Sequence, residues 1–241
     1  MFLHAPRTVR TLGAAAALFF CGGSLAQVID YTSQASFLSA IAGFQNPQTV
    51  NFDNLAAGTL FPSGTGTGGL TFTYSMYGSP IIQVDTGYTT TSGNNYLGLN
   101  NPDGAFSSNN FPGPPDSFTI NFNHVVNAAG LYVVTGPSVV SAGDFTLSFS
   151  NGSVVNVAAP DVTLSDGSTA FYLGLVSKGS SPGFSSVTLT SGGSKQNPNP
   201  AFYTFNVDDI SSAAAVPEPS TVAMMLAGLV MLSVFPLLRR H

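Results

Sequence analysis

The 241-residue chain has no tryptophan, one glutamate and one cysteine, at position 21. Charged residues make up 7% of it, against roughly 25% in an average soluble domain. Glu, Lys and Arg are the residues that clothe exposed helix faces, so their scarcity excludes long helices and coiled coils. The basic residues are Arg7, Arg10, Lys178, Lys195, Arg239 and Arg240, four of them near the two ends. Between residues 27 and 216 there is neither Arg nor Glu, and ten Asp against two Lys give a formal charge of −8. A surface of that sign cannot neutralise phosphates, which excludes nucleic acid as a partner. Beyond residue 26 there is no cysteine, hence no disulfide, no thiol nucleophile and no Cys-ligated zinc. What the chain does have is 19 Phe, 8 Tyr and 26 Gly. The aromatics are enough for a real core, and the glycines sit among Ser, Thr and Asn in turn-like clusters.

Both ends read as targeting segments. Arg7 and Arg10 precede an apolar run from Thr11 to Cys21 that is too short to span a bilayer. Ser24-Leu25-Ala26 then places small residues where a signal peptidase needs them. Residues 1–26 are therefore expected to be a secretory signal peptide, cut between Ala26 and Gln27. Bulky Phe20 before Cys21 argues against lipidation there. At the other end, Thr221 to Leu238 is apolar without a charge, 18 residues in all, or about 27 Å as a helix. Arg239-Arg240 follow as a basic stop. By the positive-inside rule this is a transmembrane helix, 221–238, that leaves the body of the chain on the outer side.

Pro217-Glu218-Pro219, the apolar stretch and the terminal arginines together resemble the PEP-CTERM sorting signal of Gram-negative bacteria. The resemblance implies a partner, a membrane-embedded exosortase that recognises the tripeptide and removes the helix. It also implies secretion machinery upstream, a membrane-anchored precursor, and a final place in the envelope or an exopolysaccharide-rich matrix. The two prolines fix φ and disfavour helix at Val216 and Glu218, which suits an extended segment that a protease can grip. Glu218 is the chain's one glutamate.

The body, 27–212, is expected to form one all-β domain, followed by the sorting segment 213–241. Ser33 is placed to cap a short helix in which Phe37, Leu38 and Ile41 share a face and Gly43 ends the run. This helix is expected to plug one end or edge of the sandwich. From Val50 onward the pattern has period two, as in Leu70-Phe72-Tyr74, Phe118-Ile120-Phe122 and Phe145-Leu147-Phe149. Asn151-Gly152, between two such runs, is a hairpin signal. About eleven short strands separated by Gly-rich turns predict a two-sheet, jelly-roll-like sandwich. Val50-Asn51-Phe52-Asp53-Asn54-Leu55, Gly69-Leu70-Thr71-Phe72, Phe171-Tyr172-Leu173-Gly174 and Phe205-Asn206-Val207-Asp208-Asp209-Ile210 resemble the β-sandwich ectodomains of PEP-CTERM proteins. That resemblance implies a carbohydrate-binding type of fold.

No catalytic constellation is evident. His124, the one histidine of the body, stands in Asn121-Phe122-Asn123-His124 with no nucleophile elbow anywhere in the chain. A glycosidase needs two carboxylates roughly 5–10 Å apart. Asp208 and Asp209, adjacent in sequence, are expected on opposite faces of a strand. The expectation is a protein without enzymatic activity, glycan- or matrix-associated, the alternative being a secreted carbohydrate-active hydrolase using Asp carboxylates. No cofactor is expected other than a structural Ca²⁺ held by Asp53 and Asp208, one near each end of the body. A loop over residues 100–116 offers Asp103, Phe106, Asn109, Asn110 and Phe111 as a surface that could stack on and hydrogen-bond a sugar.

Overall fold

A computed structural model describes residues 26–108, 113–136, 143–192, 203–216 and 228–229. The signal segment up to Leu25, the loop tip Asn109–Pro112, the tripeptide Pro217-Glu218-Pro219 and Arg239-Arg240 lie outside the described residues, as does the 221–238 span apart from Gly228 and Leu229. The described residues between 26 and 216 belong to one compact unit. Among the described residues no helix is long and apolar enough to cross a membrane.

In chain order the elements are β1 (Gln27–Tyr31), α1 (Gln34–Ile41), β2 (Gln45–Val50), β3 (Leu60–Phe61), β4 (Thr65–Thr67), β5 (Leu70–Tyr74), β6 (Ile82–Asp85), β7 (Tyr96–Leu99) and β8 (Phe106–Ser107). They continue with β9 (Ser117–Val126), β10 (Ala128–Thr135), β11 (Phe145–Phe149), β12 (Val154–Asn156), β13 (Val162–Thr163), β14 (Thr169–Lys178), β15 (Phe184–Ser191) and β16 (Thr204–Ala214). All pairs are antiparallel and fall into two sheets. The larger sheet runs β1-β14-β10-β16-β7-β6-β3, with β13 beside β14 and with β2 and β8 beside β16. The smaller runs β12-β11-β15-β9-β5-β4. Among the described residues sixteen strands stand where about eleven were expected, because several, such as β3, β8 and β13, are only two residues long and carry no readable alternation.

The core between the sheets follows from the period-two pattern. Phe72, Phe118, Ile120, Phe145, Leu147, Val187, Leu189, Phe205 and Val207 all point into it. Phe106 stacks on Phe118 and Phe205 at ring distances of 4.9 and 5.2 Å. The Asn151-Gly152 hairpin joins β11 to β12 as expected. Gly152 takes φ 90°, and Asn151 Oδ1 accepts from Ser153 N at 3.1 Å.

Three expectations are corrected. The helix does not plug an end of the sandwich; α1 lies on the outer face of the larger sheet. There Phe37 and Ile41 pack with Tyr132, Val134, Tyr172 and Val176 in a second apolar cluster. Strands β10 and β14 are thereby buried on both faces, which is why they read as continuous apolar runs. The close approach needs Gly130 and Gly174, which face each other across β10 and β14. A Cβ at Gly130 would overlap the Tyr172 hydroxyl, and one at Gly174 would sit 2.7 Å from the Tyr172 ring and 3.0 Å from Phe37. Leu38 turns away and is 38% exposed. Second, Ser33 holds the N-cap position but its side chain makes no capping bond. The carboxylate of Asp161 does that work, its Oδ2 accepting from Gln34 N at 3.0 Å and from the Tyr132 hydroxyl at 2.5 Å. Third, β16 runs past the expected boundary at residue 212 to Ala214, and Ser211, Ser212 and Ala213 are buried strand residues. Thr49 and Gln48 of β2 bond the hydroxyls of Ser211 and Ser212.

Candidate functional site

The densest polar cluster in the described body forms where the loop between β6 and β7 crosses the outer face of β16. Alternation along β16 sends Phe205 and Val207 into the core and Asn206 and Asp208 outward. At Asp209 the phase breaks. Gly130 pairs with Ser211 and Tyr132 with Asp208, so Asp209 and Ile210 together stand opposite the single residue Leu131. This is a β-bulge, with Asp209 in the left-handed region at φ 50°. The bulge returns Ile210 to the core and leaves Asp209 on the side of Asp208. The expectation that the two carboxylates face opposite ways is thus corrected. Asp tolerates φ > 0 better than most residues because its short polar side chain bonds locally. Asp208 Oδ1 accepts from Asp209 N at 2.8 Å.

Both carboxylates meet the hydroxyl run Thr90-Thr91-Ser92. Asp208 Oδ2 accepts from Thr90 Oγ1 at 2.6 Å, Thr91 Oγ1 at 3.0 Å, and Ser92 N and Oγ at 3.2 Å each. Asp209 accepts from Thr91 Oγ1 at 3.0 Å and Ser92 Oγ at 2.9 Å. Asp208 is 0% exposed and Asp209 6%. Burial first, then the neighbouring charge of Asp209, pushes the Asp208 carboxyl up to about 7 despite the hydroxyl donors that favour its ionised form. Sequence reasoning missed the three hydroxyl residues. Their only signal was the unbroken Thr89-Thr90-Thr91-Ser92 run ahead of Gly93.

Asp53 grips the same loop from the other side. Its Oδ1 accepts from Asn94 N at 3.1 Å and Asn95 N at 3.2 Å, and Asn95 Nδ2 donates to Leu55 O at 2.8 Å. Asp53 and Asp208 therefore serve one loop, but each contacts different residues of it. Among the described residues no group of three or more His, Cys, Asp or Glu side chains gathers at metal-binding range. Asp53 Oδ1 and Asp208 Oδ2 are occupied by donors from the loop. Gly93, at φ 48°, lies so close that a Cβ there would overlap the Asp53 carboxylate. Gly93→Ala is expected to destabilise the domain by about 2–3 kcal/mol, the sum of left-handed strain and weakened charge-assisted bonds. Chemical denaturation measures this, and an unchanged midpoint would show that the grip contributes nothing.

The other residues singled out in the sequence are scattered. His124 is exposed within β9, its Nδ1 bonded to Asn123 Oδ1. It lies where the β9–β15 register breaks between Asn121 and Val126. In the described part of the loop 100–116, Phe106 is buried, β8 pairs with β16, and Asp116 Oδ2 accepts from Ser107 N at 2.7 Å, while Asn109, Asn110 and Phe111 lie outside the described residues. Asp103 is exposed.

The described body is thus a two-sheet antiparallel sandwich in which Asp53, Asp116, Asp161, Asp208 and Asp209 accept structural hydrogen bonds. Residues 215–240 match the family model of the PEP-CTERM protein-sorting motif. The match spans Pro217-Glu218-Pro219, the apolar stretch and Arg239-Arg240, and identifies the chain as an exosortase-sorted protein exported to the envelope of a Gram-negative bacterium. No curated protein matches the chain.

Proposed function

We propose that the sandwich is a non-catalytic module that associates with glycan or matrix outside the cell after exosortase has released it from a membrane-anchored precursor. The sorting motif at 215–240 carries this reading. In the precursor, the signal peptide 1–26 is removed before Gln27, the 221–238 span holds the chain in the membrane, and Arg239-Arg240 stay on the cytoplasmic side. The acidic body disfavours adhesion to phosphate-rich surfaces. The engagement of Asp53, Asp208 and Asp209 by backbone and hydroxyl donors supports a structural role for the acids that a hydrolase would need for catalysis.

Intact-mass analysis of the protein from its producing cell tests the routing. The expected mass corresponds to a chain that begins at Gln27 and lacks the apolar segment. A mass retaining residues 221–241 would overturn exosortase release. Incubation with oligosaccharides, followed by product analysis, is expected to show binding without cleavage. Turnover lost on substitution of an Asp would establish the hydrolase instead.

A further inference from the structure

The ends of a domain usually fray unless something ties them down, and the C-terminal end of β16 is tied from three sides. On one edge Ser212 and Ala213 pair with Ala129 and Ala128 of β10. On the other edge Ser212 and Ala214 pair with Gln48 and Gln45 of β2. The third hold comes from Asn127, the single residue between β9 and β10. Its N donates to Ala213 O at 2.9 Å, and its Oδ1 accepts from Ala215 N at 3.1 Å. The side-chain amide thus plays the part of one more backbone carbonyl and carries the β10 ladder past the start of that strand. Asn127 is itself anchored, its carbonyl accepting from Ser177 N at 2.7 Å. The change in exposure along the chain is abrupt: Ala213 is 1% exposed and Val216 is 51% exposed. Pro217 follows Val216 directly.

The place of this grip bears on the cut. An extended segment is recognised through its backbone groups, in the way that an added strand is. Each residue has one N–H and one C=O to give. Backbone already paired on both edges, as at Ser212, or claimed by a side chain, as at Ala215 N, is not free for a second strand-like pairing. The tripeptide Pro217-Glu218-Pro219 adds little, because its prolines carry no N–H. An enzyme that takes up more than Val216 ahead of the tripeptide must therefore wait for the end of β16 to open. Where opening and reclosing are fast, cleavage follows the population of the open form. We propose that Asn127 is a positioning residue for exosortase processing: its amide holds Ala215 on the sandwich and so meters the backbone that the enzyme can take up ahead of Pro217. The inference rests on the exosortase reading above and adds to it the step that limits release.

The test follows release of the full chain from its producing cell by pulse-labelling, with the mass of the released form read alongside. Asn127→Ala, a short Gly-Ser insertion between Ala215 and Val216, and the two combined are compared with wild type. Asn127→Ala is expected to be released roughly two- to tenfold faster, the population shift that loss of one net hydrogen bond allows. The insertion is expected to speed release at least as much, and Asn127→Ala to add nothing once the insertion is present. A merely structural Asn127 would alter melting alike with and without the insertion and leave the rate of release untouched. Should Asn127→Ala fail to fold, the insertion carries the test, because it leaves the bonds of the sandwich in place. Release at the wild-type rate from both single variants would overturn the proposal. Slower release from the insertion variant would overturn it too, since the enzyme would then be reading the end of the sandwich. A released wild-type chain ending at or before Ala215 would show that the enzyme reaches past Asn127, and would likewise overturn it. In these three outcomes the exosortase reading stands. A wild-type chain that keeps residues 221–241 would overturn that reading and the proposal together.

Discussion

Glu218→Ala is expected to leave the chain unprocessed in the membrane fraction, with release outside the cell reduced to background. The motif match covers 215–240, and within it the tripeptide is the one place where charge and rigid backbone coincide. Flanking prolines restrict φ at 217 and 219 and steer Val216 and Glu218 away from helix. Those preferences suit a protease that reads an extended segment, and the glutamate is the charged group it can select. Removing that charge leaves the apolar span and Arg239-Arg240 intact, so insertion is unaffected and only release is lost. Immunoblots of membrane and medium fractions, with a tag near Gln27, report the split. A mutant trimmed and released like wild type would show that Glu218 is not read.

The second large effect concerns pH. The Asp208 carboxyl stands at about 7 in the folded state, raised by burial and by Asp209, whereas the same group in an unfolded chain titrates near 4. The folded state therefore binds the proton more tightly. Its stabilising contribution is fully present below the unfolded value and is lost as pH rises through about 7. The sandwich is expected to melt higher at pH 5 than at pH 8. Between these two pH values the difference has a ceiling of roughly 2.7 kcal/mol, from 1.36 kcal/mol per pKa unit over the two units that separate pH 5 from about 7, which for a domain of this size is roughly 5–11 °C. Asp208→Asn keeps the shape, removes the charge, and is expected to flatten this dependence and to raise the melting temperature at pH 8. A pH profile equally steep in the variant would place the titration elsewhere.

Much of the sandwich was legible because one-sided burial writes itself as alternation. Phe118-Ile120-Phe122 and Phe145-Leu147-Phe149 announce strands with one face in the core, and Asn151-Gly152 announces the turn that follows. The position of α1 was not legible. Phe37 and Ile41 specify an apolar face but not which surface receives it; that depends on Gly130 and Gly174, which only pairing shows to be neighbours. Phe106 looked like a loop aromatic because β8 is too short to alternate. The carboxylate pair was misread for a local reason. Period two puts neighbours on opposite faces, and only the positive φ of Asp209 brings both acids to one side. Nor does the string mark Asn127 as more than a turn residue; only the pairing of β10 with β16 brings its amide to Ala215.

One consequence lies in the order of events during synthesis. Strand β16 is central in the larger sheet: β10 lines one side, while β8, β7 and β2 follow one another along the other. It is also the last strand of the body, and it meets β2 across more than 160 residues, as in the pairs formed by Gln48 and Thr49 with Ser212 and Ser211. Contacts of such sequence separation are slow to form, since loop closure precedes any gain from pairing. Until Thr204–Ala214 has emerged, the larger sheet is divided and the core between the sheets stays open. The larger sheet therefore cannot be completed until nearly the whole body has been made, a topology compatible with export of the chain before it folds.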